Sequence, residues 1–192
     1  KKGEAGKVAL RNIRRDANDY LKKLGFSKLS EEYDVIQPLA LGGITYGVSD
    51  LELTAAYAAI ADGGQYRRPV FYTKVTDSKG NVLIDNTENK ATQVFKASTA
   101  SLLTNAMEDV LEKGTGVAAR LDNMHAAGKT GTTNEAKDLV FAGFTPYYTA
   151  AIWATYDTHA EFPESDREFH KRLWAKVMNE IHEGLADMDF ET

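Results

Sequence analysis

Lys129-Thr130-Gly131-Thr132, set between Ala127-Gly128 and Thr133, joins a cation, two hydroxyls and a residue with no Cβ. On an extended strand, side chains two residues apart share a face. Thr130 and Thr132 therefore offer paired hydroxyl donors suited to a carboxylate, while Lys129 lies on the alternate side and adds positive potential beneath them. Gly131 lets a ligand backbone approach closely. At a sheet edge, one row of backbone N–H and C=O groups lacks a strand partner and can pair with a peptide. Acyl transfer needs N–H groups aimed at the oxygen that becomes negative in the tetrahedral intermediate, and the Thr132 amide is the candidate for one of them. The same residues also suit a strand that uses small side chains for tight packing.

Positioning such a strand requires a sheet. The runs Ala126 to Thr133, Asp138 to Pro146 and Tyr148 to Tyr156 are joined by loops of a few residues, which predicts an antiparallel meander over 126–156. Asp138 faces the end of the motif strand, where a turn-stabilising hydrogen bond is expected, and Phe141 is expected in the core. The second and third runs are apolar without strict alternation, so helices should cover both faces.

Helices are predicted over 1–24, with Ile13, Ala17, Tyr20 and Leu24 on one face and Gly25 as cap, and from Asp50 to Asp62 after the capping box Ser49-Asp50-Leu51-Glu52. A loop to Pro38 and a glycine-rich turn, Leu41 to Val48, lie between them. Pro69 to Thr76 and Asn81 to Ile84 flank a turn at Asp77-Ser78-Lys79-Gly80 and predict a hairpin. Ser98 is expected to cap a helix from Thr99 to Lys113 with Leu103, Met107 and Val110 in the core. Ser165-Asp166-Arg167-Glu168 reads as a capping box for a last helix over 165–186, with Phe169, Leu173, Val177, Ile181 and Leu185 packed on the sheet. The fold class expected is α+β: a single domain, 1–192, built on an antiparallel sheet with helices on both faces.

The 192 residues, 43% hydrophobic and 27% charged, are enough for one sizeable core. A balance of 23 Lys plus Arg against 28 Asp plus Glu argues against a nucleic-acid surface, and the cluster Lys7, Arg11, Arg14, Arg15, Lys22, Lys23 reads as a solvated helix face. The absence of cysteine excludes disulfides and thiolate metal sites but leaves the compartment open. His125, His159, His170 and His182 have no metal-ligand spacing, so no metal or other cofactor is expected and the histidines are expected at the surface. His125, just before the motif strand, is the one placed to flank its cleft. Glu31-Glu32 reads as a solvated acidic turn. Tyr147, Tyr148, Trp153 and Tyr156 suit core and rim packing better than stacking on a sugar or base. No apolar run approaches the roughly 18 residues needed to span a bilayer. The chain opens at Lys1 without methionine or a signal-peptide pattern, which suggests excision from something longer.

Several blocks in order resemble the transpeptidase domain of class A penicillin-binding proteins: Leu39-Ala-Leu-Gly-Gly-Ile-Thr-Tyr-Gly-Val-Ser49, Leu53-Thr-Ala-Ala-Tyr-Ala-Ala-Ile-Ala-Asp-Gly-Gly64, Gly114-Thr-Gly116, Ala127-Gly-Lys-Thr-Gly-Thr-Thr133 and Phe141-Ala-Gly-Phe-Thr-Pro146. The likeness covers nearly the whole chain. It implies a serine D-alanyl-D-alanine transpeptidase that cross-links peptidoglycan stem peptides and is acylated by β-lactams, outside a bacterial cell membrane and anchored through an N-terminal segment. It also implies that Lys129 and Thr132 are catalytic and that Thr130, Gly131 and Thr132 bind the substrate carboxylate. The departure is the nucleophile. None of Ser27, Ser30, Ser49, Ser78, Ser98, Ser101 or Ser165 is followed by Lys at the third position, and there is no Ser-x-Asn. A serine nucleophile needs an adjacent base, so the missing motifs are expected upstream of Lys1, in a partner part of the same domain. The chain alone is then expected to be inactive and to expose apolar surface on its helix-facing side. The alternatives are a catalytically silent peptide-binding or interaction module of the same fold, and a serine β-lactamase, which would need a deacylating carboxylate that no residue suggests.

Overall fold

The computed structural model describes residues 42–45 and 47–190. The helix expected over 1–24, its basic cluster, the Glu31-Glu32 turn and the start of the glycine-rich turn lie outside the described residues. The chain divides into two units, Lys1–Glu52 and Leu53–Thr192. In the first, the expected capping box is formed: Ser49 N–H donates to Glu52 Oε2 at 2.8 Å and Glu52 N–H to Ser49 Oγ at 3.3 Å. It opens α1, Asp50–Ala61. The helix ends at Gly63-Gly64, both left-handed, where Gly64 N–H donates to Ala59 O at 2.8 Å.

In the second unit, β1 (Gln65–Tyr66) pairs with β4 (Thr92–Gln93), and β2 (Lys74–Thr76) with β3 (Val82–Asp85). The β2–β3 turn is held by Asp77, whose carboxylate accepts from the Lys79 and Asn81 amides at 2.8 and 2.9 Å. The hairpin expected from the sequence is present, but its first strand starts only at Lys74.

Helix α2, Ala97–Glu112, begins with Lys96 at the cap position and no side-chain cap, so Ser98 falls inside the first turn instead of capping it. Its buried stripe is Ala100, Thr104, Met107 and Leu111, a 3.6-residue repeat. Leu103 sits one position off that stripe and is exposed, contrary to its expected place in the core.

The meander is as expected: β5 (Ala127–Thr132), β6 (Asp138–Phe144) and β7 (Thr149–Thr155) form an antiparallel sheet in the order β5-β6-β7. Thr130 pairs with Phe141 and Phe141 with Ile152. Residues directly opposite share a face. On one face Phe141 meets the edge of Trp174 from α3 (Phe169–Ile181), ring centroids 4.9 Å apart, in a core with Leu121 and Met178. On the other, Ala127 and Phe144 pack against Met107 of α2 and Tyr57 and Ile60 of α1. Helices thus cover both faces.

Helix α3 departs most from expectation. Its first turn has no side-chain cap, because Ser165 bonds Asp166 within a short 3-10 turn, Glu164–Asp166. The face toward the sheet carries His170, Lys171, Trp174, Ala175 and Met178, whereas Phe169, Leu173, Val177 and Ile181 are 40–46% exposed. The two stripes lie roughly 120° apart at 100° per residue. Trp174 sets the rotation: its indole N–H donates to Ala150 O at 3.0 Å while its ring packs on Phe141.

After α3 the chain returns across the sheet. Tyr147 Oη donates to Ala186 O at 2.9 Å, and Phe190 lies edge-on to Phe144. Beneath the return, His182 is buried between two bonds: Nδ1 lies 2.6 Å from Met178 O and Nε2 lies 2.7 Å from Thr145 Oγ1. A carbonyl only accepts, so Nδ1 carries the proton and Thr145 donates to Nε2. Thr145 Oγ1 in turn accepts from the Tyr147 and Tyr148 amides.

Candidate active site

Among the described residues β5 is an edge strand, since β6 pairs with only one of its sides. Thr133 N–H donates to Asp138 O. In an antiparallel ladder the bonded positions alternate, so in this register Thr133, Gly131 and Lys129 turn their backbone groups toward β6. The amides and carbonyls of Thr130 and Thr132 are left facing the open edge.

Lys129 corrects one expectation. Its Cβ is on the alternate face, but Nζ donates to Thr130 O at 3.0 Å and Thr130 Oγ1 at 3.2 Å. The ammonium therefore stands beside the Thr130 hydroxyl, not beneath it. An outward carbonyl with no strand partner is a strong acceptor, and the four-carbon stem of lysine reaches it.

Thr130 is half-buried, and its Oγ1 lies 2.8 Å from Thr115 Oγ1. Thr132 is exposed at the end of the strand. A Cβ on Gly131 would meet only Val140 Cβ, at 3.4 Å, so packing alone does not demand glycine there. At the strand's end Asp138 N–H donates to Thr133 Oγ1 at 2.9 Å, Thr133 Oγ1 to Asp138 Oδ2 at 3.1 Å, and Trp153 Nε1 to Asp138 Oδ1 at 3.0 Å. The expected turn bond at Asp138 is thus present. The third member, Trp153, is expected from the sequence in core or rim packing; it stands at the rim, 55% exposed, and its bond to Asp138 has no signal in the sequence.

The clamp closes a loop in which Glu135 (φ 61°) and Ala136 (φ 50°) both take the left-handed region, unfavourable for residues with a Cβ.

His125 does not flank this edge. It precedes β5 at the opposite end, roughly 20 Å from Thr132 by strand rise. Its Nδ1 and its backbone N–H both lie 3.0 Å from Asp187 Oδ1. That side-chain hydrogen bond raises the imidazole pKa above its ordinary value, against a smaller opposing effect of burial. The pair borders an open cleft of about 610 Å3, also lined by Glu108, Glu112 and Arg120. Burial, then the nearby Asp189, pushes the Glu108 carboxyl up. His170 and His182 are buried, not at the surface as expected, because both belong to the sheet-facing stripe of α3 and its extension. Among the described residues no group of three or more His, Asp and Glu side chains is placed to hold a metal ion.

The free edge of β5 can therefore accept an added strand, give hydroxyl and ammonium donors to a carboxylate, and aim the Thr132 N–H at a developing oxyanion.

The chain matches the family model described as the penicillin binding protein transpeptidase domain over residues 6–182. It is 36% identical over 144 residues to penicillin-binding protein 1A of Clostridium perfringens, covering 75% of this chain and 20% of that protein. It is 39% identical over 142 residues to penicillin-binding protein 4 of Bacillus subtilis, covering 74% and 22%. The chain thus spans about a fifth of the length of these curated relatives. In fold it resembles PonA1 of Mycobacterium tuberculosis, solved in complex with penicillin V, with a TM-score of 0.75 at 23% identity over 91% of this chain and 51% of that one. Penicillin-binding protein 1A of Haemophilus influenzae follows, with a TM-score of 0.72 at 19% identity over 90% and 31%.

Proposed function

This chain belongs to the penicillin-binding protein transpeptidase family, and from that premise we propose that it is the carboxylate-gripping part of a serine D-alanyl-D-alanine transpeptidase that is acylated by β-lactams and cross-links peptidoglycan. The observation that carries the reading is the outward Thr132 amide on a free strand edge, flanked by the Thr130 hydroxyl and the Lys129 ammonium.

A stem peptide ending in D-Ala-D-Ala lies along β5 as an added strand. Its terminal carboxylate takes the Thr130 and Thr132 hydroxyls, with Lys129 supplying positive charge. The carbonyl of the scissile bond then points its oxygen at Thr132 N–H. Attack by a serine hydroxyl makes that oxygen negative, and the fixed N–H stabilises it without reorganisation. The carbonyl carbon gains the serine ester bond as the terminal D-alanine leaves with a proton. The acyl group is then passed to an amine of a second stem peptide.

The serine and its base belong to Ser-x-x-Lys and Ser-x-Asn elements outside these 192 residues, in the upstream part of the same domain, because no serine here has that surrounding. By itself the chain binds carboxylates without forming an acyl-enzyme. The reading places the parent protein on the extracytoplasmic side of a bacterial membrane, anchored elsewhere in its chain. No described helix is long and apolar enough to cross a bilayer.

Two measurements test this. A fluorescent penicillin should not label the 192-residue chain covalently, and labelling would overturn the assignment of the nucleophile. N-acetyl-Lys-D-Ala-D-Ala should shift the amide resonances of Thr130 to Thr132 more strongly than its C-terminal amide does. Equal shifts would refute the carboxylate role and leave a silent interaction module as the better description.

A further inference from the structure

Thr130 is a donor to a carboxylate only if its hydroxyl proton is free to point outward, and the network behind it bears on that. Its oxygen has two lone pairs and one proton. Lys129 Nζ can only donate, and it fills one lone pair at 3.2 Å. Thr115 Oγ1, 2.8 Å away, can either donate or accept. If Thr115 donates, the second lone pair is filled and the Thr130 proton has nowhere to go but toward the ligand. If Thr115 accepts, the proton is spent inward and the carboxylate loses a donor.

Thr115 is held in place by α3, the helix on the face of the sheet that also carries the Thr130 side chain. Lys171 on α3 is 7% exposed, a rare position for an ammonium. It donates to Thr115 O at 3.1 Å and pairs with Glu168 one turn earlier. Charge and hydrogen-bond demand of the buried cation are thereby met by one carboxylate and by the backbone of Thr115. Thr115 lies in the Gly114-Thr-Gly116 loop after α2, which is also tied back by Gly116 N–H to Val110 O at 2.9 Å.

We infer that Thr115 is a positioning residue for the strand: its hydroxyl donates to Thr130 and so frees the Thr130 proton for a bound carboxylate, while Lys171 clamps the Thr115 backbone that carries it. This rests on the carboxylate-binding reading above for its purpose, but not for its geometry. A carboxylate brings only acceptors, so its arrival selects the arrangement in which Thr115 donates to Thr130 and Thr130 donates to the ligand. A hydrogen bond polarised in this way is strengthened by its neighbours.

The experiment uses the whole chain and reads geometry and binding separately. Three-bond couplings from the Thr130 γ-carbon to its own amide nitrogen and carbonyl carbon report its χ1 rotamer. The free wild-type chain should show one rotamer, Thr115→Val an average of several, and Thr115→Ser, which keeps the hydroxyl, one rotamer again. Lys171→Met should also broaden the Thr130 rotamer population, because the Thr115 loop is released. In binding, Thr115→Val should lose about tenfold of the preference for N-acetyl-D-Ala-D-Ala over its amide, the weight of one hydrogen bond, with Thr115→Ser close to wild type. A single unchanged Thr130 rotamer in Thr115→Val overturns the proposal. Rotamer averaging in that variant, together with a wild-type chain that binds acid and amide equally, leaves the positioning intact and overturns the carboxylate reading instead.

Discussion

Gly128 and Gly131 stand three residues apart on β5, and the structure assigns them opposite burdens. A Cβ on Gly128 would lie 2.8 Å from Ala142 O, 2.8 Å from Phe141 Cζ and 3.0 Å from Gly143 Cα. None of these can yield. Two are backbone of the central strand, and the Phe141 ring is fully buried and wedged against Trp174. Gly128→Ala is therefore an overpacking substitution costing about 1–3 kcal/mol. At roughly 2–4 °C per kcal/mol for a chain of this size, the melting temperature should fall by about 2–12 °C. A Cβ on Gly131 would meet only Val140 Cβ at 3.4 Å, and losing glycine restricts the unfolded chain by about 0.4–1 kcal/mol in favour of folding. Gly131→Ala should thus melt within about 4 °C of wild type, by the same conversion, while weakening D-Ala-D-Ala binding, because the added methyl occupies space that the backbone of the proposed ligand approaches. Circular-dichroism melts and ligand titrations of both variants decide the matter. Equal losses of stability, or a Gly131→Ala chain that melts lower than Gly128→Ala, would refute the reasoning.

Thr130→Val and Thr132→Val each remove a hydrogen bond to a charged carboxylate worth about 1.5–3 kcal/mol; calorimetric titration with N-acetyl-D-Ala-D-Ala should show the loss, and unchanged affinity in both would contradict the assigned roles. The His125–Asp187 pair should be pH-dependent in both directions. The histidine pKa is raised from about 6.5, so its contribution is full below that value and is lost as pH rises through the folded-state pKa. The Asp187 pKa is lowered from about 3.8 by hydrogen bonds to His125, so its contribution is present above that value and lost as pH falls. The clasp on the C-terminal segment is then tightest between about pH 4 and 6.5, which amide exchange at Phe190 should report, and Asp187→Asn should return the His125 titration toward its ordinary midpoint. Thr145→Val leaves His182 Nε2 and the Tyr147 and Tyr148 amides without their partner, a cost of about 2–4 kcal/mol readable in urea unfolding.

The meander was legible because three runs on short connections, the last two of them apolar, admit one pairing, and the capping box at Ser49 because its geometry is local. The rotation of α3 was not. Phe169, Leu173, Val177 and Ile181 make a cleaner apolar stripe than the one used, but one Trp174 ring seated on Phe141 and bonded to Ala150 outweighs them. The β1–β4 pair is two residues per strand, too short for any period. At the candidate site, Lys129 to Thr132 were singled out as candidates from residue types, whereas the turn of the Lys129 ammonium onto Thr130 depends on which carbonyls the register leaves unpaired. Thr115 had one signal, its place in the Gly114-Thr-Gly116 block, but its contact with Thr130 spans fifteen residues and a hydroxyl in a glycine-flanked loop has no pattern to betray it.

The exposed edge of β5 also raises a question of solubility that bears on function. An open strand edge is a template for any other strand, including one from a second copy of the same chain. Proteins commonly blunt such edges with lysine or with a sharp departure from extended geometry. β5 has both: Lys129 caps the outward Thr130 carbonyl, and beyond Thr133 the backbone swings into the left-handed region at Glu135 and Ala136. Among the described residues, the stretch from Thr130 to Thr132 is what remains open toward this end of the strand. That is long enough to pair with the last residues of a peptide and too short to nucleate a long strand. On the proposed reading, a free C-terminal carboxylate would meet Lys129 and the hydroxyls at the mouth of this stretch, whereas an internal segment of a protein strand would bring no charge to meet them. The cation that discourages aggregation is therefore also the one that favours a chain end, and Lys129→Ala should both weaken carboxylate binding and promote self-association, the second visible by light scattering as a concentration-dependent rise in mass. A variant that loses binding yet stays monomeric at every concentration would separate the two roles and refute this account.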